Sequence, residues 1–340
     1  MSELDPLRHH GDVEARGLLD LAVNVYDGPR PSWLDDALRA SLDDVGRYPD
    51  ASAARAAVAA HHGRTREEVL VTAGAAEAFT LVARLRDWRR PVVVHPQFTE
   101  PHAALEQAGR PVTALVLPEP FGLDPAAVPR DADLVVVGNP TNPTGVLHPA
   151  DAVRSLCRPG RLVVVDEAFM DCVPGEPESL AGLPLPGLLV LRSLTKHWGI
   201  PGIRAGYAVG DPAVVAGLAR AQTPWSVGTT AAAAVVACTT PTAAREARRR
   251  AERIGDWREH LEKGLADLGV HHLPSTASFV LAEVGEGVHA RLRAAGIAVR
   301  RADTFPGLDD RWIRIAVRPP ATTDLLLEAL ATRRLGTDRT

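Results

Sequence analysis

Between residues 69 and 209, short β-branched apolar runs alternate with stretches of helical character, and this alternation restricts the fold more than any other feature of the chain. The runs are Val69–Thr72, Pro91–Val94, Leu134–Val137, Leu162–Val165 and Leu188–Leu191, bounded by glycine and proline. A strand that is apolar on consecutive residues has to be covered on both faces, whereas a strand with one wet face alternates. The pattern therefore predicts an α/β fold with a mainly parallel central sheet sandwiched by helices. After Pro212 the pattern turns helical, through Ala231 to Leu268. Short strands follow at Phe279–Ala282, Ile297–Arg300 and Trp312–Val317, which predicts a smaller α+β C-terminal domain. With 340 residues, 46% of them hydrophobic, the chain can fill one large and one small core. No internal repeat or low-complexity linker separates the two parts.

Charge excludes several partner classes. The formal net charge is -4, and the longest basic run is Arg248–Arg250, so no footprint for nucleic acid or an anionic membrane is present. Residues 1–17 carry no apolar leader core, and the apolar run Ala231–Cys238 is too short to span a bilayer, which predicts a cytoplasmic protein. Cys157, Cys172 and Cys238 lie far apart without metal-ligand spacing, so neither a disulfide nor a metal site is expected.

Lysine is the anomaly. Of 38 basic residues only Lys196 and Lys263 are lysines. Lys263 sits in a solvated helical pattern, Glu259-His260-Leu261-Glu262-Lys263, with an ordinary surface reading. Lys196 lies among apolar and hydroxyl residues instead. A guanidinium cannot serve as an amine nucleophile, because its pKa is too high and its charge is delocalised. Lys196 is thus the candidate nucleophile.

Other candidates cluster at strand ends, where open α/β sheets place their ligands. Asp166 ends the run Leu162–Val165 and reads as a helix cap, a metal ligand or the partner of a ring nitrogen. Asn142 lies in the Pro-rich turn Asn139–Gly145, which is either a plain turn or a stiff loop aiming an amide donor. Thr72–Glu77 passes from strand to helix, and the free amides of Ala75 and Ala76 can bind a phosphate. Ser193 and Arg204 flank Lys196 and could close on the same anion. An amine, a carboxylate for a pyridine nitrogen, an amide donor and an anion cradle are what pyridoxal 5'-phosphate (PLP) requires of a protein.

Ser193-Leu194-Thr195-Lys196, Gly202–Tyr207, Asn142-Pro143-Thr144-Gly145 and Asp166-Glu167-Ala168 resemble, in order and spacing over nearly the whole chain, the class I/II aminotransferases of fold type I. The resemblance implies that Lys196 is the Schiff-base lysine, Asp166 the pyridine partner, Asn142 the donor to the ring 3-oxygen, and Ala75, Ala76, Ser193 and Arg204 the phosphate cup. It implies that Phe98 stacks on the ring and that Tyr48 enters the phosphate site of a neighbouring subunit, hence a homodimer. On this reading residues 1–30 are an arm serving the small domain and substrate site, 31–235 the large PLP-binding domain and 236–340 the small domain.

Two branches of the family fit best, histidinol-phosphate aminotransferase and the threonine-phosphate decarboxylase of cobalamin synthesis. Arg192–Gly202, His9-His10-Gly11-Asp12, Asp166–Phe169 and Val299–Arg318 look closer to the decarboxylase. That resemblance implies conversion of L-threonine O-3-phosphate to (R)-1-aminopropan-2-yl phosphate, with His9, His10, Asn24, Asn142, Arg300 and Arg314 around a small phosphorylated substrate. Phe169 stands where most aminotransferases carry a tyrosine that also bonds the ring oxygen. Tyr26-Asp27-Gly28 replaces the family's Asn-Pro, one residue shorter, and His9-His10 replaces His-Gly. Two rivals fail on the sequence. An acyl enzyme using Ser193-x-x-Lys196 lacks the Lys-Thr-Gly strand, and a PLP-binding regulator lacks a helix-turn-helix module and a basic face.

Overall fold

All five apolar runs become strands of one sheet in the computed structural model, which describes residues 6–9 and 11–332; His10 lies outside the described residues. The strands in chain order begin with β1 (Leu19–Leu21), β2 (Val69–Thr72), β3 (Pro91–His95), β4 (Thr113–Val116), β5 (Leu134–Gly138) and β6 (Leu162–Asp166). They continue with β7 (Leu188–Ser193), β8 (Gly206–Gly210), β9 (His271–His272), β10 (Phe279–Glu283), β11 (Ile297–Arg301) and β12 (Trp312–Ala316).

The large sheet has the order β2-β8-β7-β6-β5-β3-β4. Its pairs are parallel except those of β8, which runs antiparallel to both β2 and β7. Consecutive residues do face opposite layers. Val135, Val137, Val163 and Val165 pack on one side with Val153, Leu156 and Leu180, while Leu134, Val136, Leu162 and Val164 pack on the other with Phe79, Trp88 and Leu105. Two strands escape the apolar-run criterion. β8 is framed by Gly206 and Gly210, which leave it only the three apolar residues Tyr207-Ala208-Val209, and β4 is a largely exposed edge.

The small sheet has the order β1-β11-β12-β10-β9, with β1 parallel to β11 and the rest antiparallel. Its core joins Leu21, Val280, Val299 and Ile313 to Ile254, Leu261 and Leu265 of the long helix Pro241–Asp267. A division at 235/236 falls inside the helix Thr229–Cys238, which packs against the large sheet. We place the hand-over along Pro241–Asp267, whose Ala243 belongs to the large core and Ile254 to the small one. Cys157, Cys172 and Cys238 are free thiols, and no helix among the described residues is long and apolar enough to cross a membrane.

Candidate active site

A cavity of about 510 Å³ opens at the ends of β6 and β7, between the large sheet and the small domain. Of the residues singled out in the sequence, His9, Asn24, Ala75, Ala76, Phe98, Asn142, Asp166, Ser193, Lys196, Arg204, Arg300 and Arg314 line it. Tyr48 does not. It is exposed and stacks on Trp225 with ring centroids 4.5 Å apart.

Strand register brings the anion-binding candidates together. Gly206 lies opposite Thr72 on one side and Ser193 on the other, so the β2 end, the β7 end and the residue pair Arg204-Ala205 converge. A Cβ at Gly206 would come within 2.9 Å of the Gly74 Cα, and one at Gly74 within 2.7 Å of Arg204 Nη2. The absence of side chains there lets the helix Gly74–Arg84 start against the β8 backbone. In its first turn Glu77 accepts from the Ala73 amide at 2.6 Å, and Ala75 and Ala76 of the same turn line the cavity, where helix N-terminal amides can bind an anion. Ser193 Oγ and Thr195 Oγ1 lie 2.8 Å apart at the same end.

The acid and the amide are neighbours by the same logic. Asp166 pairs in register with Gly138, so the loop Asn139–Gly145 leaves the sheet beside the carboxylate. Asn139 anchors that loop by exchanging hydrogen bonds with the His148 backbone, at 2.7 and 3.2 Å. Burial pushes Asp166 up to about 6, against the opposing effects of the Ala168 amide and Lys196. A carboxylate so desolvated is built to meet a cation. Asn142 Oδ1 accepts from Arg314 Nη1 at 2.7 Å, which leaves its amide nitrogen as the donor. Phe169 packs edge-on against Phe279 and brings no hydroxyl.

Lys196 sits in the short helix Leu194–His197 after β7. Burial first, then the cations Arg314 and Arg204, push its amine down to about 8. Such an amine has a far larger neutral fraction near physiological pH than an ordinary lysine, as a nucleophile or proton carrier requires. These side chains together fit PLP: an amine, a cation-seeking carboxylate, an amide donor and a backbone cradle.

The far wall is basic. Arg300 and Arg314 lie directly opposite each other across β11 and β12, both nearly fully buried. Like charges in that position repel. Burial, and then Arg300, push Arg314 down to about 9. The compensation comes from Glu14, which the sequence reading passed over. Its buried carboxylate takes His9 Nε2 at 2.7 Å, His289 Nε2 at 2.5 Å and Arg300 Nη1 at 3.5 Å. Arg300 also donates to the His9 carbonyl and to Thr304 Oγ1, each at 2.7 Å, so its guanidinium is held rigidly at the cavity edge. Asn24 is buried with neither amide atom bonded. Glu14 lies in no motif, and Thr195, though part of the Ser193–Lys196 motif, has no role from the sequence; contact reveals both.

Residues 16–332 match the family model described as aminotransferase class I and II. The chain is 50% identical over 324 residues to a protein of Mycobacterium tuberculosis called histidinol-phosphate aminotransferase, with 94% of this chain and 89% of that one covered. It is 33% identical over 338 residues to the threonine-phosphate decarboxylase of Salmonella typhimurium, covering 92% and 90%. The fold is similar to a histidinol-phosphate aminotransferase from Sinorhizobium meliloti solved with PLP, at a TM-score of 0.86 and 23% identity over 99% of both chains.

Proposed function

Because the chain belongs to the class I and II aminotransferase family, a family of PLP enzymes, we propose that it decarboxylates L-threonine O-3-phosphate to (R)-1-aminopropan-2-yl phosphate. The observation that carries this reading is the cross-strand pair Arg300 and Arg314 on the cavity wall. Arg314, whose Nε is unpartnered, and Arg300, which shares its charge with Glu14, leave this wall with an excess of positive charge that suits a substrate carrying a carboxylate and a phosphate. A second reading, transamination of histidinol phosphate, is favoured by the name of the 50% identical relative.

When bound, PLP supplies a sink for the electron pair left on the substrate's α-carbon as one of its bonds breaks. Lys196 would hold the cofactor covalently through Nζ, and Asp166 would keep the proton on the pyridine nitrogen. Asn142 would donate to the 3-oxygen, with Phe98 against the ring face. Ala75, Ala76, Ser193 and Arg204 would bind the cofactor phosphate. Asn24, His9, Arg300 and Arg314 would orient the substrate, His10 lying outside the described residues. Orientation decides the outcome. If Arg314 takes the carboxylate, the α-proton would be the group released, and Lys196 Nζ would carry it. If the substrate phosphate takes the main arginine contacts, the carboxylate would be left free to depart as carbon dioxide with cleavage of its C–C bond, and Lys196 Nζ would return a proton to the α-carbon. We place Tyr48 in the phosphate site of a second subunit of a cytoplasmic homodimer.

The test is to incubate each substrate with holoenzyme. Carbon dioxide and (R)-1-aminopropan-2-yl phosphate from threonine phosphate are expected. Rapid 2-oxoglutarate-dependent transamination of histidinol phosphate, with no carbon dioxide from threonine phosphate, overturns the decarboxylase assignment.

A further inference from the structure

The loop after β1 contains no proline before Pro29 and no regular structure, yet its backbone is tied down at nearly every position around Asn24. Asp20 Oδ1 accepts from the amides of Ala22 and Val23, both at 2.9 Å. Arg318, buried just beyond β12, donates through Nε to the Asp20 carbonyl at 2.8 Å, through Nη2 to the Val23 carbonyl at 2.7 Å and through Nη1 to the Val25 carbonyl at 3.1 Å. The Tyr26 amide closes the loop onto the Lys196 carbonyl at 3.0 Å. Only the Asn24 side chain is left over, buried at the cavity with both amide atoms unpartnered. A buried amide without partners is costly, and a loop free to relax would turn it toward solvent or backbone.

We propose that Arg318 and Asp20 form a positioning pair that holds the Asn24 amide at one place in the cavity, so that they set substrate affinity without entering the chemistry. The proposal rests on the cavity being the substrate site. Arginine suits the task because a planar fork reaches three carbonyls at once, which a lysine ammonium, a point charge on a flexible stem, does not. The pair also does for this loop what a proline would otherwise do, restricting the backbone by hydrogen bonds to Asp20 at its start and from the segment that follows β12.

The experiment compares holoenzyme carrying Arg318→Lys, Asp20→Ala, Asn24→Ala, and Arg318→Lys with Asn24→Ala. For whichever phosphorylated substrate the enzyme turns over, Arg318→Lys and Asp20→Ala should each raise KM about tenfold, the worth of one polar contact, with kcat and the cofactor's visible absorbance little changed. In the Asn24→Ala background Arg318→Lys should add almost nothing to KM, since both changes remove one contact. Amide hydrogen exchange of residues 20–26 should accelerate in Arg318→Lys while the large sheet stays protected. Unchanged KM, additive effects with Asn24→Ala, or unchanged exchange would overturn the proposal. If Arg318→Lys fails to fold, Asp20→Ala carries the same comparisons. If neither substrate is turned over, the substrate reading has failed, and exchange of residues 20–26 still decides whether the clip exists.

Discussion

The depressed amine of Lys196 has consequences that separate chemistry from folding. At an ordinary value of 10.5 about one molecule in 3,000 would carry a neutral amine at pH 7, whereas at about 8 roughly one in ten does, an advantage of roughly 300-fold. Only the neutral amine attacks an aldehyde. Capture of PLP by apoenzyme, followed by stopped-flow absorbance, should therefore accelerate with pH and level off above about 8. Arg314→Met removes one cationic contribution but not burial, the largest cause, so the midpoint should move upward yet stay below 10.5. The linkage runs opposite to that of a paired lysine. Folding lowers the pKa, so the folded chain binds fewer protons and gains stability as pH rises from about 8 toward 10.5. Below that window the buried ammonium costs up to about 3 kcal/mol, and apo Lys196→Met should be more stable than wild type by up to that amount at pH 7. Urea denaturation at pH 7 and at pH 10.5 should show the difference shrink at the higher pH. A capture midpoint near 10.5, or a stability difference independent of pH, would refute the reasoning.

Asp166→Ala should weaken PLP binding and slow turnover by roughly 10²-fold or more, because the ring nitrogen loses its anion; unchanged turnover with saturating cofactor would remove Asp166 from the site. Glu14, which burial pushes up but His289, His9 and Arg300 together bring down to about 2, should stabilise the arm above pH 4.5 and lose that effect as pH falls toward 2. Glu14→Gln should then cost up to about 3 kcal/mol at neutral pH, and less in acid, in denaturant titrations. Tyr48 reaches no phosphate cup within its own chain, so light scattering should find a dimer, and Tyr48→Ala should raise the PLP dissociation constant; an active monomer would dismiss the interface.

What could be read from the sequence was what depends on neighbours along the chain. Consecutive valines at 134–137 and 162–165 require two buried faces whatever their partners are, and the large sheet follows. Lys196 stood out because arginine occupies nearly every other basic position, and Asp166, Asn142, Ala75 and Ala76 stood at strand ends where a parallel sheet gathers its ligands. The remainder depended on pairing. β8 is a strand because β2 and β7 hydrogen-bond to both its edges, and β1 joins β11, far away in sequence, through Leu19 opposite Ile297. Arg300 faces Arg314 because of a register that no local pattern encodes, and Glu14, Arg318 and the unpartnered amide of Asn24 acquire roles only from atoms that meet on folding. Periodicity is a property of one segment, whereas register and the satisfaction of buried polar groups belong to pairs of segments, so the tertiary structure alone decided them.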